Sequence, residues 1–97
     1  MSLTAESKGG SPITVTGTTD TSEKVVSFDS VSLVLHVYWY NPTTAGHLCS
    51  LKTKDGKQIL LMRCEADAES QVWPVYTYYS DIYCDDLDSG TLYIYTA

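Results

Sequence analysis

The hydrophobic positions of this chain recur mostly with period two, the spacing that sends alternate side chains of an extended strand to opposite faces. Ile13-Thr14-Val15-Thr16 alternates and then meets Gly17-Thr18-Thr19-Asp20, which predicts a short strand followed by a turn. Val25–Tyr40 is dominated by β-branched, aromatic and small polar residues, with Asp29-Ser30 expected to divide it into two strands. In the second of these, period two sets Leu33, Leu35, Val37 and Trp39 on one face and Val34, His36, Tyr38 and Tyr40 on the other. Both faces are largely apolar, as in a central strand or one covered by another subunit.

Lys54-Asp55-Gly56-Lys57 separates two apolar runs, and Asp-Gly suits a two-residue type I′ hairpin, whose two central residues need positive φ. The register that follows opposes Thr53 to Gln58, Leu51 to Leu60, Cys49 to Met62 and His47 to Cys64. Cys49, Leu51, Leu60 and Met62 then share the core face. Glu65–Ser70 has helix-forming composition but is too short for a stable helix, and it reads as a connection. Beyond it, Val72–Tyr79 is a strand whose Pro74 confines its first part to an edge or a bulge. Ile82-Tyr83-Cys84 and Leu92-Tyr93-Ile94-Tyr95 alternate around Asp88-Ser89-Gly90 and predict a final hairpin, with Ile82, Cys84, Leu92 and Ile94 inward and Tyr83, Tyr93 and Tyr95 outward. About seven short strands and no helix of useful length predict an all-β fold, an antiparallel β-sandwich of jelly-roll or Ig-like kind or a flattened barrel.

Composition narrows the picture. At 97 residues and 43% hydrophobic content the chain is expected to form one domain over residues 13–97, behind a flexible Ser/Gly/Lys-rich leader at 1–12. Twelve acidic against six basic residues give a net charge of −6, which argues against a nucleic-acid partner, since phosphate binding draws on clustered Lys and Arg. The longest apolar run, Val31–Tyr40, is about half the length of a membrane-spanning helix, and no membrane role is expected. The first ten residues lack the pattern of a secretory signal, so synthesis and retention in a cytoplasm are expected. Three cysteines cannot all pair within one chain, and buried thiols are the expectation for Cys49, Cys64 and Cys84.

Candidate chemistry is sparse. His47, Cys49, Cys64 and Cys84 form the one metal-like set, but their spacing matches no zinc knuckle and their face is the predicted core. Asp85-Asp86-Leu87-Asp88-Ser89-Gly90 is rich in oxygen ligands yet lacks a distant glutamate and suits a turn. Neither His36 nor His47 lies in a nucleophile motif. No catalytic residue, no cofactor and no metal are therefore assigned. Tyrosine is the informative surplus: of Tyr76, Tyr78, Tyr79, Tyr83, Tyr93 and Tyr95 about half are expected in the core or across strands, and Tyr38, Tyr40, Tyr83, Tyr93 and Tyr95 are the candidates for a flat amphipathic surface facing a protein partner or a sugar.

From Ala45-Gly46 through the Asp55-Gly56 hairpin, the Glu65–Ser70 connection and the closing Leu87-Asp88-Ser89-Gly90-Thr91-Leu92-Tyr93-Ile94-Tyr95, the second half of the chain resembles small β-rich bacteriophage structural proteins. That resemblance implies a non-enzymatic virion component, a head decoration or tail-associated protein, assembled in the host cytoplasm through contacts with itself and with other virion proteins. A homo-oligomer is expected, a trimer among the candidates. The alternative is a small carbohydrate-binding β-sandwich module.

Overall fold

A computed structural model describes residues 3–6 and 12–97. Seven strands follow one another: β1 Leu3–Glu6, β2 Ile13–Gly17, β3 Glu23–Tyr40, β4 Leu48–Lys52, β5 Gln58–Arg63, β6 Gln71–Leu87 and β7 Thr91–Thr96. All pairings are antiparallel, in the order β1-β2-β7-β3-β6-β4-β5. The all-β class expected from the sequence is the one observed. The leader expected for residues 1–12 lies partly outside the described residues. In its described part Leu3–Glu6 pairs with β2, so strand structure begins ahead of Ile13.

Two strands are long rather than short, and they make the fold. β3 runs through Asp29-Ser30 without ending, and the expected break is instead a shift in register between Ser27 and Ser32. β6 likewise joins the two strands expected at Val72–Tyr79 and Ile82–Cys84. The first half of β3 pairs with the second half of β6, and the reverse. Each strand thereby serves two layers: β1, β2 and β7 stand beside the C-terminal half of β3, and β4 and β5 beside the C-terminal half of β6. Folded over at this ribbon, the sheet closes on a single core.

That core is the period-two pattern made solid. Val15, Val34, Val37, Trp39, Leu51, Leu60, Ile82, Leu87, Leu92 and Ile94 are buried together with all three cysteines. Each such aliphatic side chain removed from water stabilises the fold by roughly 1.5–3 kcal/mol before entropy is counted. One parity is corrected: a register shift between Val34 and His36 turns Val34 inward alongside Val37 and Trp39, while Leu33 and Leu35 are only half-buried. A bulge adds one residue to one strand, and every side chain beyond it changes face.

The hairpin register holds at Cys49 with Met62 and at Leu51 with Leu60, and the Cys64 amide donates to the His47 carbonyl at 2.9 Å, but a shift after Leu51 pairs Gln58 with Lys52 rather than Thr53. Its turn is not type I′, because Gly56 has positive φ (89°) and Asp55 does not. Gly56 N donates to Thr53 O and Thr53 N to Lys57 O, the pattern of a turn closed by a glycine bulge. The hairpin expected around Asp88-Ser89-Gly90 is also absent. β6 and β7 do not pair with each other, and β7 instead crosses to the other layer between β2 and β3. Alternation within each strand survives this, with Ile82, Cys84, Leu92 and Ile94 buried.

Candidate interaction surface

The outer face of the β2-β7-β3 layer gathers four of the five tyrosines singled out by the sequence. Val37 opposes Ile94 and Trp39 opposes Leu92 on the inside, so the residues between them, His36 against Tyr95 and Tyr38 against Tyr93, face out. The His36 and Tyr95 rings stack with centroids 4.5 Å apart. Tyr38 lies 6.2 Å from Tyr93 and 6.0 Å from Tyr40, and Tyr40 meets Tyr93 edge-on at 6.5 Å. These are the offset and tilted geometries that aromatic quadrupoles favour, and they leave a firm, half-exposed platform. Tyr40 at its rim is 49% exposed.

Tyr83 does not belong to this platform. It opposes Lys24 of β3 and Lys52 of β4 in the other layer. The long bent strands explain the separation, since β6 has changed layer by residue 83. His36 completes the platform, and the bulge beside it keeps it in phase with Tyr38 and Tyr40.

Behind the platform the chain is held by a polar seam. Trp39 is fully buried and its indole N–H donates to the Ser89 carbonyl at 2.8 Å. The Ser89 hydroxyl lies 2.7 Å from His47 Nδ1 and accepts the Thr43 amide. Gly90, with φ 78°, packs so tightly that a Cβ there would lie 2.8 Å from both Trp39 Nε1 and the Tyr40 carbonyl. The seam fixes the end of β3 and thus the bearing of Tyr40.

The other candidate chemistry resolves into structure. Cys49, Cys64 and Cys84 are free and buried, and the Cys64 thiol donates to the Ala66 carbonyl. Burial pushes the Cys84 thiol up to about 12 and raises Cys49 as well. His47 turns to Ser89, and among the described residues no group of three His, Cys, Asp or Glu side chains is placed to hold a metal ion. In the acidic segment, burial works to raise Asp85, but the Ser50 hydroxyl and the Lys52 ammonium at 2.9 Å outweigh it and hold it low. Asp86 is pushed up to about 6 by burial, by its hydrogen bond with Asp88 and by the charges of Asp88, Asp85 and Asp20. Asp88 Oδ2 accepts the Leu48 amide. Residues 85–87 form the end of β6, and Asp88-Ser89-Gly90 bend the chain into β7.

A second apolar region includes Tyr76 and Tyr78 of the tyrosine surplus noted in the sequence. The N-terminal half of β6 exposes Val72, Trp73, Tyr76 and Tyr78, and Val31 of β3 stands near its far end. Pro74 marked this segment as an edge, and it is one: among the described residues it pairs on one side only, with β3. Where β6 leaves β4, a cleft of about 380 Å³ opens between Val31, Tyr78 and the Lys54–Lys57 turn.

Comparison with known proteins finds no matching family model, no matching curated protein and no matching solved structure.

Proposed function

We propose that this chain is a non-enzymatic structural or assembly protein that acts through protein–protein contacts, as a component of a bacteriophage virion. One observation carries the contact: Tyr38, Tyr40, Tyr93 and Tyr95 with His36 share one aromatic outer face of the sheet. Tyrosine supplies large amphipathic contact area at low entropic cost, which is why it is enriched at interfaces. The virion setting rests on the resemblance of the second half of the chain. The contact is with copies of the same chain in a closed oligomer, and other virion proteins dock on that assembly.

Sedimentation at micromolar concentration tests the reading. The wild-type chain is expected to be an oligomer, and the variant Tyr40→Lys with Tyr93→Lys is expected to lose that contact while keeping its melting temperature. A wild-type monomer that stays monomeric as concentration rises refutes it. The near-coplanar Tyr38 and Tyr93 rings, 24° apart, also suit sugar stacking. Quenching of tyrosine fluorescence by an oligosaccharide, in a monomeric wild type, would favour that alternative.

A further inference from the structure

We infer that the open edge of β6, from Gln71 to Ser80, is a second self-association surface, at which two copies of this chain meet edge to edge about a twofold axis. The inference goes beyond the aromatic face of β3 and β7, which adjoins this edge where Val72 pairs with Tyr38. An edge strand presents unpaired backbone groups along its length, and natural proteins blunt such edges with charged side chains, prolines and bulges. This one carries no charged residue from Gln71 to Ser80, in a chain that is 19% charged. Its interruptions are Pro74 and the kink at Tyr76, where φ is 50°.

Three features select a second copy as the occupant. The first is charge: two chains of net charge −6 repel, whereas this strand carries no charge of its own and the charges flanking its ends, Arg63 with Glu65 and Lys54, Asp55 and Lys57, are of mixed sign, so two copies can approach there without like charges dominating the contact. The second is area. Val31 at 59%, Val72 at 58%, Trp73 at 39%, Tyr76 at 70% and Tyr78 at 64% exposure leave on the order of 500–600 Å² of side chain open to water. That lies at the upper end of the range for the largest patch of a typical monomer. Doubled by a partner it reaches about 1,000 Å², the lower bound for a specific interface.

The third is symmetry. Antiparallel strands related by a twofold axis present the same residues to each other, so one edge is its own complement. An axis near Val75 sets Val72 of one copy against Tyr78 of its partner. Pro74 and the Tyr76 kink fall at the centre, so the backbone bonds form at Gln71–Trp73 and Thr77–Tyr79, on either side. The same interruptions keep the pairing finite, because the ladder cannot slide along the edge.

The test is sedimentation of three variants of the full chain, each first checked for an unchanged melting temperature. Val72→Lys with Tyr78→Lys places four like charges across the axis and is expected to abolish the edge contact, leaving only the oligomer made by the aromatic face. Val72→Lys with Tyr78→Glu sets opposite charges against each other across the axis and is expected to keep the edge contact. Tyr40→Lys with Tyr93→Lys is expected to leave a twofold dimer. A monomer in that last case, or an edge double-lysine variant that sediments as wild type, overturns the inference. A monomeric double-lysine edge variant overturns the aromatic-face reading instead.

Discussion

Replacing Gly90 by alanine tests how tightly the β6-β7 connection is built, and Gly56→Ala provides its internal control. Both glycines have positive φ, 78° and 89°, where an L side chain costs roughly 1–2 kcal/mol through the approach of Cβ to the backbone. At Gly56 that is the whole effect, because nothing lies within 4 Å of the added carbon. At Gly90 the same carbon meets Trp39 Nε1 and Tyr40 O at 2.8 Å and Pro42 N at 3.0 Å. Two of these three atoms are backbone, and the third belongs to a fully buried indole bonded to the Ser89 carbonyl, so none can yield cheaply. Shifting them breaks that bond, and an unsatisfied buried polar group costs about 1–3 kcal/mol. Gly90→Ala is therefore expected to destabilise by about 3 kcal/mol or more, against about 1 for Gly56→Ala. For a domain of this size the melting temperatures then fall by about 12 °C or more and about 4–8 °C. Thermal unfolding followed by tryptophan fluorescence measures both, and the emission of Trp39 reports whether its pocket has opened. Equal losses for the two variants would refute the account, since they would mean that the close approach at Gly90 carries no energy.

Three further outcomes follow from the buried groups. Native protein at pH 8 is expected to react slowly with a thiol reagent at Cys49, Cys64 and Cys84, with Cys84 raised to about 12 and all three buried; rapid labelling of all three would place them elsewhere than in the core. Asp86 is raised from 3.8 to about 6, so its proton is bound more tightly in the folded chain and its contribution to stability is complete below about pH 4 and lost as pH rises through 6. Solvent screening reduces the full effect of ~3 kcal/mol to about 1 kcal/mol, so stability should increase from pH 7.5 to 5, and Asp86→Asn should remove that increase. Asp85 and Glu23 run the other way: Asp85 is held low by Ser50 and Lys52, Glu23 by Thr19 and the Leu3 amide, and their contributions fade at still lower pH. A flat stability profile between pH 5 and 7.5 in the wild type would contradict this arrangement. Trp39→Phe keeps most of the apolar volume but leaves the Ser89 carbonyl without its donor, and a loss of about 1–3 kcal/mol in urea unfolding is expected; a loss below 0.5 kcal/mol would show that the bond is dispensable.

Sequence alone determined what depends on neighbouring residues. Period-two alternation assigned the faces of Leu92–Tyr95 and Ile82–Cys84 correctly, since adjacent residues of any strand point to opposite sides whichever strand lies beside them. Cys49, Leu51, Leu60 and Met62 were legible as core for the same reason, with the turn at Gly56 fixing their register to within one bulge. Pro74 announced an edge because it has no amide to give to a ladder. Only the tertiary structure decided what depends on partners distant in the chain. That β3 and β6 run on as long strands serving two layers is a matter of which pairings close the core, and no local signal distinguishes a bend from a break at Asp29-Ser30. The bulge between Val34 and His36 reversed a parity that sequence spacing could not foresee. β7 entered between β2 and β3 rather than beside β6, because it buries Leu92 and Ile94 against Val15, Ile13, Val37 and Trp39 there. The same crossing brought Tyr93 and Tyr95 beside Tyr38 and His36 and left Tyr83 on the far layer, so the tyrosines were visible in the sequence and the surface they make was not.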